Sequence, residues 1–481
     1  MRKSSATSFA VGLVLFCAQL SMAQTNLAAL PSAPGAHPEF QAQGAAPRGP
    51  RQSDTQLAQV AQTVAPNATG LGSDEPLTRQ LAEQLALKNN PRIRVAALLA
   101  LAQRQVVRET RSAELPNLNG NLTGVDAEEA SRISSGTLNA SRLLYHAGAG
   151  VVLNQLITDF GRTRNLVASS SLQAKASEES SLATRADIVL ATDLAFYRTL
   201  EAQATLAVAQ STVSARQTVS DKVSALTANK LKSTLDQSFA EVNLSQAKLL
   251  ALDAQNQYDA AIADLNEVLG TTGNTQFHLV DDDVPPTPIA PSPDDVITMA
   301  LQQRPDLLAL RDMHDADARF AQAQHDQLLP TISGLGIVGI TPIGSNQYFP
   351  QNWYGAAGIN IGIPIFNGFR YHAEATEADL RAKAAAEQDR DLEARIVRDV
   401  RTAWLRMATA QQRMSVTAEL LKEANTALDL AQTRYSLGLS SIVELSQAQL
   451  QQTEAQIDDA NARFDYEADL AALRYQGGST P

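Results

Sequence analysis

From Ile396 to Tyr435 the apolar and small positions follow one rule. Ile396, Val400, Ala403, Met407, Ala410, Met414, Thr417, Leu421, Ala424, Leu428, Ala431 and Tyr435 step alternately by four and three positions. A 3.5-residue repeat held over this length predicts a helix wound into a left-handed supercoil with knobs-into-holes packing. Many seam positions are Ala or Thr, which lets neighbouring helices approach closely. No Pro or Gly lies between Phe369 and Gly438. The pattern therefore predicts one rod over about 370–437, spanning roughly 100 Å at 1.5 Å per residue. Residues 163–230 form a less regular counterpart, and shorter return helices are expected over about 233–269 and 441–476.

Other segments alternate with period two. In WYGAAGINIGIPIF, 353–366, the odd positions are Trp, Gly, Ala and four Ile, whereas the even positions are small or polar. NLNGNLTGV, 117–125, alternates likewise, and 331–341 and 151–160 do so more weakly. Each is about the length a tilted strand needs to cross a bilayer. Trp353 and Tyr354 sit where an aromatic girdle would fall, after a polar loop at 342–352. One such hairpin alone also suits a half-buried sheet on a soluble domain.

These elements are written twice. Asn90-Pro91 recurs as Arg304-Pro305 and Leu115-Pro116 as Leu329-Pro330, and the two proline pairs share one offset in numbering (305−91 = 330−116). Asp159, Arg162, Asp236 and Tyr258 recur as Asn367, Arg370, Glu444 and Tyr466, again at a single offset (367−159 = 370−162 = 444−236 = 466−258). Constant offsets across landmarks outside the Ala-rich helical bias indicate internal duplication. The repeats are expected over 75–283 and 294–477, joined by the Pro-rich linker 284–293. Each reads helix, strand pair, long helix, return helix. Four strands cannot close a barrel, and open edges are not tolerated in lipid, so the chain must associate with itself. Three copies would supply twelve strands, within the range of outer-membrane barrels.

The N-terminus changes the setting. Arg2 and Lys3 precede an apolar core from Phe9 to Leu20, followed by Ser21-Met22-Ala23. This reads as a secretory signal over 1–23, too short to span a bilayer. It would remove Cys17, the only cysteine, leaving no disulfide and no cysteine-based metal site. Residues 24–74, rich in Ala, Pro, Gln and Gly, read as a disordered leader. The net charge of −12 over 481 residues argues against non-specific nucleic-acid binding.

The duplication, the NP and RPD helix starts, the LP junctions, TDFGRTRN (158–165), IFNGFR (365–370) and Tyr435-x-x-Gly438 followed by SIVEL (441–445) together resemble the TolC family of outer-membrane efflux proteins, over residues 75–477. The resemblance implies a mainly α chain with membrane β structure. Its expected assembly is a homotrimer with a long coiled-coil α-barrel in the periplasm and a 12-stranded β-barrel in the outer membrane of a Gram-negative cell. It further implies an export duct without chemistry of its own, working with a periplasmic adaptor (membrane fusion protein) and an inner-membrane RND or ABC transporter. Glu444 then matches the acidic position of an iris-like gate, and Tyr435 a tyrosine that latches it by hydrogen bonding. Asp236 holds the corresponding place in the first repeat. Gly438, Leu439, Ser440 and Ser441 form the hairpin tip where an adaptor would dock. Asp159, Gly161 and Arg162, with Asn367, Gly368 and Arg370, mark the strand-to-helix junctions. Two positions depart from the family pattern: Gln447 stands where a second acid is expected, and Ser440 where a basic latch residue is. The first tip, TANKLKSTLD, carries Lys230 and Lys232 and no glycine. The competing reading of Glu444 is a solvated helix charge.

No catalytic pattern competes. The histidines at 37, 146, 278, 314, 325 and 372 form no metal-ligand spacing, and no phosphate loop or nucleophile elbow occurs. The DFG of 159–161 lacks the other kinase motifs. No enzyme, cofactor or metal site is expected. The rival reading is a soluble periplasmic coiled-coil adaptor or structural rod, which leaves the strand segments unexplained.

Overall fold

A computed structural model describes residues 76–126, 145–271, 275–281, 292–343 and 353–478. The signal segment, the leader, most of the 284–293 linker and most of the 342–352 loop lie outside the described residues. The elements run α1 (Arg79–Asn89), α2 (Pro91–Arg111), β1 (Asn117–Asp126), β2 (Tyr145–Thr158), α3 (Arg162–Ala228) and α4 (Thr234–Leu269). The same series follows again: α5 (Pro293–Gln303), α6 (Pro305–His325), β3 (Thr331–Ile343), β4 (Trp353–Gly362), α7 (Arg370–Ser436) and α8 (Ile442–Gln476).

The motif residues at the α1–α2 and α5–α6 corners act as pins. The Asn90 side chain accepts from the Arg92 N–H at 2.9 Å and donates to the Val268 carbonyl at 2.8 Å, fastening α2 to the end of α4. Arg304 pairs with Asp306 at 2.6 Å and donates to Gln476 at 2.6 Å, fastening α6 to the end of α8. Proline at the first helical position loses no hydrogen bond there.

The long helices α3 and α7 have 67 residues each. Along the α7 seam, Ile396, Val400, Ala403, Met407, Ala410, Thr417, Ala424, Ala431 and Tyr435 are buried, and Met414, Leu421 and Leu428 half-buried. Much of the α3 seam is small or hydroxylic, around larger residues such as Phe196 and Leu200. Thr192 and Thr199 are fully buried and each donates to the carbonyl four positions back at 2.7 Å, which satisfies the hydroxyl inside the wall.

Helix packing defines two storeys. Near the sheet, α3 lies between α2 and α6, and α6 lies against α7. Beyond the midpoint, α3 lies between α4 and α8, and α8 lies against α7. Both rows therefore end on α7 at one side and on α2 or α4 at the other. Those terminal helices carry exposed apolar residues: Val95 and Leu99 on α2, Leu235, Phe239, Val242 and Leu249 on α4, and Val416 and Leu430 on α7.

The strands form one antiparallel sheet in the order β1-β2-β3-β4, with β1 and β4 as open edges. The register puts Leu118, Leu122, Val151, Leu153, Val338, Ile340, Trp353, Ile359 and Ile361 on one face. Asn117, Asn119, Asn121, Asn154, Ser333 and Asn360 share the other. β4 stops at Gly362, before the sequence alternation does, because its partner β3 begins at Thr331 after a proline. β2 begins at Tyr145, earlier than its hydrophobic signal, since Gly and Ala there carry little pattern. A 3-10 turn, Ser112–Glu114, separates α2 from Leu115-Pro116.

Candidate gate at the hairpin tips

Far from the sheet, α7 turns into α8. The Gly438 N–H bonds the Tyr435 carbonyl at 3.1 Å, and the Leu439 N–H reaches the Arg434 carbonyl at 2.8 Å. This Schellman closure needs a left-handed residue, and Gly438 sits at φ 74°. The α3–α4 turn makes the same hydrogen bonds at the equivalent positions of the first repeat: Lys230 N–H to Thr227 at 2.9 Å and Leu231 N–H to Leu226 at 2.8 Å. There the left-handed position is Lys230, at φ 59°. The first tip thus makes the glycine turn without the glycine.

Ser233 and Ser441 cap the return helices, and Asp236 and Glu444 are the third residues of those helices. Their carboxylates are used differently. Asp236 reaches back to its cap, accepting from the Ser233 N–H at 3.2 Å and hydroxyl at 3.0 Å in a closed capping box. Glu444 accepts instead from Arg434 Nε at 3.0 Å, across the turn. Both members of that pair stay about half exposed. Ser440, at the position where the family resemblance expects a basic residue, takes no part in this pair.

Tyr435 is buried in a tip core with Val223, Ala240, Ala431, Ile442, Leu445 and Ala448, which joins the two hairpins. The Lys232 ammonium lies 4.2 Å from the centre of its ring, a cation–π contact between the repeats. Burial, and secondarily the charge of Asp236, push the phenol pKa up. The Tyr435 hydroxyl is enclosed and has no hydrogen-bond partner among the described residues. Ser440 Oγ is likewise enclosed and unpartnered. Gln447 is exposed one turn beyond Glu444, and Leu439 projects into solvent. Asn243 donates to Ser446 at 2.7 Å and ties α4 to α8 just above the tip.

The junction residues sit at the opposite end of the long helices. Asp159 accepts from the Thr163 N–H at 2.7 Å and hydroxyl at 2.5 Å, capping α3. Phe160 and Gly161 have φ 57° and 121°, and Gly368 and Phe369 have 66° and 64°, so both turns use two positive-φ residues with Phe and Gly exchanged in order. Asn367 contributes its carbonyl, 3.4 Å from the Arg370 N–H. Arg162 and Arg370 line one cavity of about 370 Å³ beside the end of α6. The candidate gate residues and the junction residues therefore form two separate places at opposite ends of the same two helices.

Sequence reasoning missed Lys232 over Tyr435 and the Arg434–Glu444 pair. The second had a signal: a Schellman turn brings a residue in the last turn of one helix beside the first turn of the next. The first had none, because it joins different repeats.

The profile of the outer membrane efflux protein family matches residues 82–271 and 296–478. The chain is 26% identical to outer membrane protein OprJ of Pseudomonas aeruginosa over 380 residues, which is 76% of each protein. It is 25% identical to outer membrane protein TolC of Escherichia coli over 404 residues, 80% of this chain and 78% of that protein. Its fold superposes on the outer membrane protein VceC of Vibrio cholerae with a TM-score of 0.72 at 18% identity, covering 83% of this chain and 96% of that one. The matched profile spans both repeats, the tip hairpins and the strands alike, and the chain belongs to the outer membrane efflux protein family.

Proposed function

We propose that three copies of this chain form a passive export duct through the outer membrane, continued into the periplasm by a helical tunnel that narrows at the hairpin tips. The observation that carries the reading is the agreement of the two open sides. The side with β1 has α2 and α4 as terminal helices, and the side with β4 has α7. Sheet edge and apolar helix faces are unpartnered on the same two sides, so one head-to-tail rotation covers all of them at once. Three copies bring twelve strands, with the apolar face toward lipid and the asparagine-lined face toward water. The duct itself performs no chemistry. A periplasmic adaptor docking at Gly438, Leu439, Ser440 and Ser441 would couple it to an inner-membrane RND or ABC transporter.

Glu444, Asp236, Tyr435 and Gln447 are the proposed gate. Asp236 is held in its capping box; Glu444 is half exposed beside Arg434, and it is the carboxylate that would meet its copies on the threefold axis when it parts from that partner. Such a ring favours cations. Purified protein is expected to crosslink as a trimer and to conduct in planar bilayers, with block by divalent cations that weakens in Glu444→Gln. A monomer that forms no pore would overturn the duct. Unchanged block in Glu444→Gln would overturn the gate assignment alone.

A further inference from the structure

The first repeat buries two carboxyl groups that the second does without. Glu83 on α1 and Asp193 on α3 are 8% and 6% exposed and meet beneath α1, near the midpoint of α3. Both line the same enclosed space, where burial penalises each charge and two neighbouring carboxylates repel, so the pair favours holding a proton. Asp193 Oδ1 is enclosed and has no hydrogen-bond partner among the described residues, with the Arg79 guanidinium 3.7 Å away. Arg79 also binds Glu83. The two acids line a cavity of about 410 Å³ with Gln80, Gln84, Arg474 and Tyr475.

The charged and titratable surroundings come from three elements. α1 contributes Arg79 and Glu83, and α3 contributes Asp187 and Tyr197. α8 contributes Glu467, Arg474 and Tyr475, the last held by Asp187 at 2.5 Å. From α4 the neighbouring face is apolar, Ile262 and Leu265, with Tyr258 at its rim.

The duplication provides the comparison. α5 is the repeat of α1 and packs on α7 as α1 packs on α3. At the position of Glu83 it has Ile297, buried in the apolar core, and at the position of Asp193 α7 has Arg401, which is exposed. Docking this short helix against a long one therefore requires no acid, and the buried pair calls for another role. We propose that Glu83 and Asp193 form a proton-binding site that holds α1 against α3 while protonated and loosens it when the proton is lost.

Burial, reinforced by Glu83, pushes the Asp193 pKa up to about 7, with Arg79 and Arg474 opposing. An undocked Asp titrates near 4. The docked state thus binds the proton more tightly. Docking is fully supported below about pH 4, weakens by up to tenfold per pH unit as pH rises toward 7, and levels off above it.

Hydrogen exchange of the full-length protein in detergent, corrected for intrinsic rates, tests this between pH 5 and 8. Peptides from Arg79–Asn89 report α1, and those from Pro293–Gln303 serve as reference within the same molecule. Opening of α1 is expected to increase with pH relative to α5. Asp193→Asn should remove the slope, and Glu83→Gln should move it to lower pH. Parallel behaviour of α1 and α5 in the wild type, or the wild-type slope surviving in both variants, would overturn the proposal. Exchange in α1 is read without conductance, so this outcome is independent of the duct.

Discussion

At the scale of single residues, the duplication acts as a built-in comparison. Lys230 and Gly438 occupy the same turn position with nearly the same φ. A side chain in the left-handed region costs about 1–2 kcal/mol, a cost glycine avoids. Lys230 is exposed and makes no ion pair among the described residues. Lys230→Gly is therefore expected to stabilise the chain by about 1 kcal/mol, less the added freedom of glycine in the unfolded state, read as a higher denaturation midpoint. No gain would mean that the lysine makes a compensating contact in the assembly. Much of this scale was hidden in the sequence. The Ser-x-x-Asp and Ser-x-x-Glu motifs look alike, yet one closes a capping box and the other leaves its acid to Arg434. The difference follows from a cation on the other arm of the hairpin.

At the scale of elements, the sequence was most informative. The α7 seam could be read position by position, because a 3.5-residue repeat is a direct record of burial in a supercoiled wall. Met407 is fully buried in that seam beside Tyr466, Val400 and Ala410. Met407→Ala is expected to cost about 2–4 kcal/mol through lost packing and the cavity left behind. Exposed Leu405→Ala, two positions earlier, should cost less than about 1 kcal/mol in the isolated chain. Equal losses would show that the wall does not pack along this stripe. The α3 seam was less readable because many of its buried positions are Ser, Thr and Ala, whose burial no hydropathy pattern announces. Strand ends were blurred for a related reason: glycine and alanine at the start of β2 carry no alternation.

At the scale of the whole molecule, period-two segments and open edges made self-association legible, but not which helices would meet. That requires the packing order, which places α4 and α7 at opposite ends of the lower storey. Leu249 on α4 is 61% exposed in the single chain. Leu249→Glu should leave the isolated fold intact yet bury an unpaired carboxylate between copies, a cost of several kcal/mol. The expected readout is loss of the crosslinked trimer with native-like circular dichroism. A trimer that persists would move the contact between copies elsewhere. The buried Glu83–Asp193 pair was equally invisible from sequence. All of α2, β1 and β2 lie between its members along the chain, and nothing local marks either as buried.

The sheet order has a consequence in time. β1 with β2, and β3 with β4, are neighbours along the chain. β2 meets β3 through pairs such as Val151 with Val338, which have four helices, α3 to α6, between them in sequence. Distant pairings close late, because the intervening chain must first be organised. The α3–α4 and α7–α8 hairpins join neighbours along the chain, and they are expected to form before the central seam of the sheet can zip. The seam between β2 and β3 is thus expected to be the last part of the sheet to close, joining two hairpins that each form locally.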